Sequence, residues 1–285
     1  MQIIRQKKAL DEALAAFRSE GHRVALVPTM GALHDGHMAL IEEGKLRAQR
    51  VVASIFVNPK QFGANEDLSG YPRREMKDAE MLRAAGCALL WAPAVEEMYP
   101  EGFDTNISVG GVSADLDGAS RPGHFDGVAT VVTKLFNQIR PDVALFGEKD
   151  FQQLAVIRRM VTDLDIGIEI VGVPTQRDVD GLALSSRNAY LDDAERLAAR
   201  AMPRALGEAA AAIAAGHDVG EAIERARATL ARAGFDPIDY VELRDAETLA
   251  PVDRVERPAR LLAAARIGAA RLIDNLAIAP AAAAE

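Results

Sequence analysis

The sequence contains a single cysteine, Cys87, which excludes an intrachain disulfide and a cysteine-rich metal site. The surrounding stretch AAGCALLW is apolar, so we expect Cys87 to be a small buried side chain. Basic residues are also scarce, with 33 Lys and Arg against 42 Asp and Glu, a net charge of −9. Because a nucleic-acid backbone needs a basic face, this balance excludes a general nucleic-acid binder. It leaves room for one small phosphorylated ligand held by a few local cations.

Long apolar runs are missing as well. No stretch approaches the roughly twenty apolar residues that a membrane helix needs. The opening MQIIRQKKALDEALAAFRSEG lacks the apolar core and small-residue cleavage site of a signal peptide. We therefore expect a cytoplasmic protein without a membrane partner. The chain has 285 residues, 49% of them hydrophobic, enough for one large domain or two smaller ones.

Apolar segments typical of buried strands alternate with helical patterns along the first 175 residues. The strands are VALVPTM, VVASIFVN, ALLWAP, DVALFGEK and IGIEIVGVP, and residues 3–19 have helical spacing. This alternation predicts an α/β fold in which a parallel sheet is covered on both faces. From about residue 176 the pattern changes to Ala-rich helices and the strands DYVELRD, ARLLAAARI and ARLIDNLAI. We predict two domains, 1–175 and a smaller α+β domain, 176–285.

Polar stretches follow several of the predicted strands, where ligands of parallel sheets bind. In HDGH, His34 and His37 flank Gly36 at the expected start of a helix. A metal site with Asp35, a packing or capping role, and phosphate binding are the three alternatives. The free N–H groups and positive dipole end of a helix favour phosphate, as do imidazole donors. The common phosphate loop GxxxxGK[ST] is missing from the sequence.

The stretch GEKDFQQL follows another predicted strand. Lys149 is either a solvated lysine or a phosphate-binding cation, and Asp150 is a candidate cap for the next helix. Gln153 lies one turn further and could face the same cleft.

Two hydroxyls and a guanidinium lie together in GLALSSRNAYL. Ser185, Ser186 and Arg187 suit phosphate oxygens, and the alternative is a serine cap. Asp192 and Asp193 already provide caps for the helix that follows, which favours phosphate.

Uncharged amides follow the strand VVASIFVN. Asn58 and Gln61 suit the hydroxyls and carboxylate of a small polar substrate, or they build an Asn-Pro turn. In RPGHFDGVATVV, Arg121 and His124 lie in a predicted loop before a helix. Either of them could meet an anion or be purely structural.

The motifs PTMGALHDGH, FVNPKQF, FGEKDFQQ and SSRN, in this order, resemble the pantothenate synthetase (pantoate–β-alanine ligase) family. RPGHFDGVATVV and YVELRD are also similar, and the resemblance covers about residues 1–278. HxGH alone is shared by the wider nucleotidyltransferase and class I aminoacyl-tRNA synthetase superfamily. The set of motifs is specific to the one family.

The resemblance implies a Rossmann-like N-terminal domain, a smaller C-terminal domain and a homodimer. It implies condensation of (R)-pantoate with β-alanine, using ATP and Mg²⁺, to give pantothenate, AMP and pyrophosphate through a pantoyl-adenylate. The expected place of this ligase is the pathway to coenzyme A.

The resemblance also implies residue roles. His34, His37, Lys149, Ser185, Ser186 and Arg187 would hold the triphosphate, with His37 matching a proton donor. Gln61, Gln153 and Asn58 would bind pantoate, and Gln61 would also lie near β-alanine. Leu184 stands where the family commonly has Met, and Gln176 where an aliphatic residue is common. The implied ATP-binding residues are Met30, Gly31, Ala32, Leu33, His34, Asp35, Gly36, His37, Gly147, Glu148, Lys149, Asp150, Gln176, Leu184, Ser185, Ser186 and Arg187.

Three alternative functions remain at this point. A different HxGH nucleotidyltransferase would need a cationic pocket for a phosphorylated acceptor, whereas NPKQF and FQQ are rich in amides. A silent ATP-binding module would bind ATP without pantoate-dependent turnover. A metal-dependent hydrolase is disfavoured because the sequence offers too few ligands.

Overall fold

The computed structural model describes residues 1–63, 68 and 70–280. Its larger sheet has six parallel strands in the order β1-β4-β3-β2-β5-β6. The order confirms the predicted α/β fold. The strands of this sheet are β1 (Gln2–Ile4), β2 (Val24–Thr29), β3 (Arg50–Ile55), β4 (Leu89–Trp91), β5 (Val143–Gly147) and β6 (Glu169–Val173).

Helices cover both faces of this sheet, because alternate residues of its strands are apolar on both sides. Val24 and Leu26 of β2 pack into one buried cluster. Ala25 and Val27 of the same strand pack into another cluster on the opposite face. The helices before β6 are α1 (Lys7–Ser19), α2 (Asp35–Arg47), α3 (Glu75–Ala84), α4 (Val95–Met98), α5 (Asp117–Ser120), α6 (His124–Ile139) and α7 (Phe151–Asp163).

The strand order reverses between β2 and β5, which pair through Ala25–Val143 and Leu26–Ala144. From β2 the chain moves to β3 and β4 on one side, and from β5 it moves to β6 on the other. Such a switch point opens a crevice at the carboxyl ends of the two strands. HDGH follows β2 and GEKD follows β5, so the fold brings these two motifs to one crevice.

A second sheet has three antiparallel strands in the order β7-β8-β9 and packs against helices that follow β6. The three C-terminal strands predicted from the sequence are thereby confirmed. The boundary at residue 175 stays a prediction. These elements are α8 (Asp193–Ala199), α9 (Ala201–Ala214), α10 (Val219–Arg232), β7 (Ile238–Asp245), β8 (Ala259–Ile267) and β9 (Ala270–Ile278).

Two local details can be compared with the sequence predictions. The helix expected over residues 3–19 is wrong at its start, because Gln2–Ile4 pairs with β4 at the edge of the sheet. Cys87 is buried as expected, and burial raises the pKa of its thiol to about 11. Within the described part of the chain, no helix is both long and apolar enough to cross a membrane.

Candidate active site

One cavity opens at the switch point and collects most of the residues predicted for the site. The predicted residues that line it are Met30, His34, Gly36, His37, Asn58, Gln61, Gly147, Lys149, Asp150, Gln153, Gln176, Leu184, Ser185, Ser186 and Arg187. Residues from four separate stretches of sequence therefore meet in one place. Their individual roles stay predictions.

Five predicted residues do not line this cavity. Ala32 and Leu33 are buried behind it, and Asp35 is exposed at the first position of α2. Gly31 has a φ of +85° and supplies the turn between β2 and HDGH. Glu148 is paired with Arg260 of β8 at 2.7 Å. Gly31 therefore contributes through the turn that it allows, and Glu148 through its ion pair with β8.

The two histidine rings accept backbone N–H groups at the start of α2. His34 Nδ1 accepts the N–H of Gly36 at 3.1 Å, and His37 Nδ1 accepts the N–H of His34 at 3.3 Å. An Nδ1 that accepts a hydrogen bond carries no proton, so the proton of each neutral ring is on Nε2. Both rings thus have the capping role that the sequence offered as one of three alternatives. It leaves each Nε2–H as the donor that could face a ligand.

Both imidazoles are held in the neutral form. Burial, together with the nearby Lys149, lowers the pKa of His34 to about 4. Burial also lowers the pKa of His37 to about 3, helped by His34, whose ring centroid lies 4.2 Å away. At neutral pH these side chains are hydrogen-bond donors without charge. The histidines therefore add no positive charge to the cavity at neutral pH.

Asp78 of α3 fixes the loop ahead of HDGH, and sequence reasoning missed it. Its carboxylate is 1% exposed and accepts the N–H groups of Ala32 at 2.8 Å and Leu33 at 2.9 Å. Ala32 has a φ of +50°, an uncommon conformation for a residue with a side chain. The buried carboxylate compensates by satisfying both amides.

The described cations that line the cavity are Arg121 ahead of α6, Lys149 after β5 and Arg187 after β6. The side chain of Lys149 is 15% exposed, and its Nζ lies 3.7 Å from the carboxylate of Asp150. Burial would raise the pKa of that carboxyl, but Lys149 and Arg187 outweigh burial and hold the pKa below its usual value. Asp150 occupies the N-cap position of α7 as predicted, but its side chain makes no cap hydrogen bond in the described structure.

The two serines already have protein partners. Ser185 Oγ accepts the N–H of Arg187 at 3.3 Å and caps a short 3₁₀ helix, Ser186–Tyr190. Ser186 Oγ donates to the carbonyl of Ala32 at 3.1 Å and ties this segment to the HDGH loop. A hydroxyl has one donor, so Ser185 keeps its O–H for a ligand whereas Ser186 has used it. Asp192 caps α8, as predicted.

Asn58 and Gln61 line one part of the cavity, called its floor below, and a carbonyl of α6 helps to hold Asn58 in place. Asn58 is 1% exposed, and its amide donates to Gln61 Oε1 at 3.0 Å and to the carbonyl of Gly127 at 3.1 Å. Its Oδ1 accepts from the hydroxyl of Tyr99 at 2.8 Å and the N–H of Lys60 at 3.3 Å. Asn58 thus orients Gln61 and also builds the turn that the sequence offered as an alternative.

His124 is the first residue of α6 rather than part of a loop, and it supports the same floor. Its Nε2 lies 2.9 Å from Arg121 Nη1, and its Nδ1 lies 2.8 Å from the carbonyl oxygen of Gln61. Because an arginine can only donate, Nε2 accepts and Nδ1–H donates. A Cβ added at Gly127 would come within 2.2 Å of the Lys60 carbonyl oxygen, so only glycine allows this approach.

Apolar side chains that the sequence did not single out line one part of the cavity. They are Phe56, Val128, Val131, Val132, Leu135 and Phe146. Most belong to α6, whose apolar pattern is equally compatible with ordinary core packing. Sequence alone could not distinguish a cavity lining from a core here. Within the described residues, no group of three or more His, Cys, Asp or Glu is arranged to hold a metal ion.

A doubly covered parallel sheet with a polar and cationic cavity at its switch point defines an α/β protein that binds a small ligand there. The family model for pantoate-beta-alanine ligase matches residues 2–277. The chain belongs to this family, whose members are ligases.

Relatives of the chain carry the same name. The pantothenate synthetase of Rhizorhabdus wittichii is 67% identical over 281 residues, 99% of this chain and all of that protein. The crystal structure of pantothenate synthetase from Thermus thermophilus matches with a TM-score of 0.93 and 47% identity, covering 98% and 100% of the two chains. A pantoate-beta-alanine ligase from Francisella tularensis, crystallised with beta-gamma ATP and beta-alanine, matches with a TM-score of 0.80 and 32% identity over 97% of each chain.

Proposed function

We propose that the protein condenses (R)-pantoate with β-alanine at the expense of ATP, giving pantothenate, AMP and pyrophosphate. The observation that carries this proposal is the meeting of HDGH, Lys149 and Ser185–Arg187 beside an amide-floored apolar chamber. Family membership and the ATP and β-alanine complex of the Francisella relative support it. The chemistry runs through a pantoyl-adenylate.

The polar part of the cavity is assigned to ATP. Lys149 and Arg187 supply charge for the phosphates, and the helix N-terminus at HDGH adds backbone donors. His34 and His37 donate from Nε2, and Ser185 from its hydroxyl. Ser186 contributes by holding the carbonyl of Ala32. The pair Gln176 and Leu184, joined by a backbone hydrogen bond of 2.9 Å, is assigned to the adenine side.

Pantoate is assigned to the chamber next to the phosphates. Its two methyl groups suit the apolar lining from α6, which a phosphorylated acceptor would not need. Gln61 and Gln153 would meet its hydroxyls and carboxylate, with Asn58 orienting Gln61. β-Alanine would approach beside Gln61. This chamber favours pantoate activation over transfer of a nucleotidyl group to a phosphorylated acceptor.

Both steps of the reaction proceed without a nucleophile from the protein. A pantoate carboxylate oxygen attacks the α-phosphorus of ATP, the bond to the β-phosphate breaks, and pyrophosphate leaves. The amine of β-alanine then attacks the carbonyl carbon, a C–N bond forms, the amine loses its proton, and AMP leaves. Positioning and charge stabilisation by the residues above carry the rate.

Mg²⁺ is expected as the companion of ATP. The cavity offers one described carboxylate, Asp150, whose pKa is held low by Lys149 and Arg187 despite burial. Mg²⁺ is commonly bound by one or two carboxylates together with substrate phosphates, so this donor set fits an ion that arrives on the nucleotide. Asp150 is the lining residue able to share it, and the ion would neutralise charge on the phosphates.

The division of the chain at residue 175, a homodimer and a cytoplasmic location belong to the same proposal. They rest on the sequence pattern and on the resemblance to the family.

Release of AMP and pyrophosphate from ATP and Mg²⁺ tests the proposed reaction. We expect sustained AMP formation only when both pantoate and β-alanine are present. Pantoate alone should give at most one AMP-containing adenylate per active site. AMP release that ignores pantoate would contradict the proposal and favour a different nucleotidyltransferase, and ATP binding without turnover would favour a silent module.

A further inference from the structure

Asn275 of β9 joins the small sheet to the turn that carries Lys149. The residue is 3% exposed, and its side-chain amide donates to the carbonyl oxygens of Glu148 at 2.9 Å and Lys149 at 3.0 Å. One amide therefore satisfies two successive backbone acceptors of the turn that follows β5. Two hydrogen bonds from one buried side chain to adjacent carbonyls hold the backbone of this turn in one conformation.

Arg260 of β8 determines how that amide is oriented. Its guanidinium donates to Asn275 Oδ1 at 2.9 Å and to the Glu148 carboxylate at 2.7 Å, and it lies over the ring of Phe151 at 4.2 Å. With its oxygen engaged by Arg260, Asn275 turns its NH₂ group toward the two carbonyls. The small sheet thus holds both the backbone and the acidic side chain of the turn.

We propose that Asn275 is a positioning residue for the ligation reaction, acting through the backbone of Lys149. The inference rests on the proposed function of Lys149 as a phosphate-binding cation. A lysine side chain has four rotatable bonds, so its ammonium reaches a fixed point only when its backbone is held. Misplacement of a reacting group or its partner by about 1 Å can cost roughly a hundredfold in rate.

The test replaces Asn275 by leucine, which has a similar size but no hydrogen-bonding group. We expect Asn275→Leu to lower the single-turnover rate of pantoate-dependent AMP formation by roughly ten- to a hundredfold. The matched control is Asp115→Asn. The Asp115 side chain also pairs with the small sheet, through Arg244 of β7 at 2.9 Å, but it makes no described contact with the Glu148–Lys149 turn. The control should retain a wild-type rate.

A double-mutant cycle separates positioning from general damage. If Asn275 acts through Lys149, Asn275→Leu should change the rate less than about twofold in a Lys149→Ala background. If Asn275→Leu lowers the rate in the Lys149→Ala background as much as it does in the wild type, the inference is overturned and the proposed function of Lys149 stands. Wild-type turnover in Lys149→Ala by itself overturns the proposed function of the lysine and the inference with it.

Circular dichroism shows whether Asn275→Leu folds. If it does not fold, a second variant tests the same inference. Arg260→Met keeps Asn275 in place but releases its amide and the Glu148 carboxylate. The same cycle with Lys149→Ala applies, and additivity again overturns the inference.

Discussion

The cavity has two facing walls that the fold supports in different ways. The histidine wall, residues 30–37, follows β2, and the lysine wall, Gly147–Asp150, follows β5. The histidine wall is anchored by Asp78, by the hydrogen bonds that Nδ1 of His34 and Nδ1 of His37 accept, and by Ser186 of the segment after β6. The lysine wall is anchored by Asn275 and Arg260 from the small sheet. Among the described residues, the anchors of the lysine wall come from the small sheet itself.

The two walls also differ in charge. The histidine wall offers neutral donors because burial lowers the pKa of both imidazoles. The lysine wall offers a full positive charge whose partner carboxylate lies next to it in sequence. The ammonium adds the attraction of a unit charge to its hydrogen bond with a phosphate oxygen, whereas a neutral imidazole offers the hydrogen bond alone. The histidine wall therefore supplies neutral donors, whereas the lysine wall supplies charge and is held in place by the small sheet.

The largest expected effect comes from removing the charge of the lysine wall. Lys149→Ala should lower turnover by about a hundredfold or more, the scale of losing one preorganised charge stabiliser, with the fold intact. His37→Ala should also cost about a hundredfold, and less than Lys149→Ala because it removes a neutral donor. The measurement is AMP formation at saturating substrates, with the unfolding temperature as a control for folding.

His37→Gln sharpens this comparison, because glutamine restores an N–H donor without imidazole chemistry. Recovery of part of the His37→Ala loss would support hydrogen bonding by a neutral ring. Near-wild-type turnover in either alanine variant would contradict the role assigned to that wall.

A smaller effect is expected from the anchor of the histidine wall. Asp78→Asn places an NH₂ group against one of the two amides that the carboxylate now satisfies. The free energy of unfolding should fall by about 1–3 kcal/mol, the cost of an unsatisfied buried polar group. Urea denaturation measures it, with Asp11→Asn as the control.

Asp11 is exposed on α1 and pairs with Lys7, so its substitution should change stability by about 0.5 kcal/mol or less. Equal losses in Asp78→Asn and Asp11→Asn would show that the loop does not depend on the buried carboxylate.

The anchors Asp78 and Asn275 also show which parts of the site are predictable from sequence. A strand, HDGH and a helix follow one another within 25 residues, so local pattern predicts both the histidines and their place at a helix N-terminus. Asp192 was predicted as a cap for the same reason, whereas the cap that Ser185 makes for the short 3₁₀ helix Ser186–Tyr190 was not. Asp78 and Asn275 act on residues more than 40 positions away, and only tertiary packing brings them there. The apolar lining from α6 was not predicted, because residues that line a cavity and residues of a core have the same apolar pattern in the sequence.

The smallest expected effect is the pH dependence of stability that the histidine wall creates. The pKa values of His34 and His37, about 4 and about 3 when folded, lie below the usual 6.5 of an unfolded chain. Below pH 6.5 the unfolded state therefore binds protons that the folded state does not, and stability falls as the pH drops toward the folded pKa values. Between pH 7.5 and 5.5 the loss should be about 1 kcal/mol for each histidine. It should shrink in His34→Gln and His37→Gln, as measured by urea denaturation at both pH values. NMR titration gives a direct check, since neither ring should titrate between pH 5.5 and 8, and a midpoint near 6.5 for either would contradict the neutral wall.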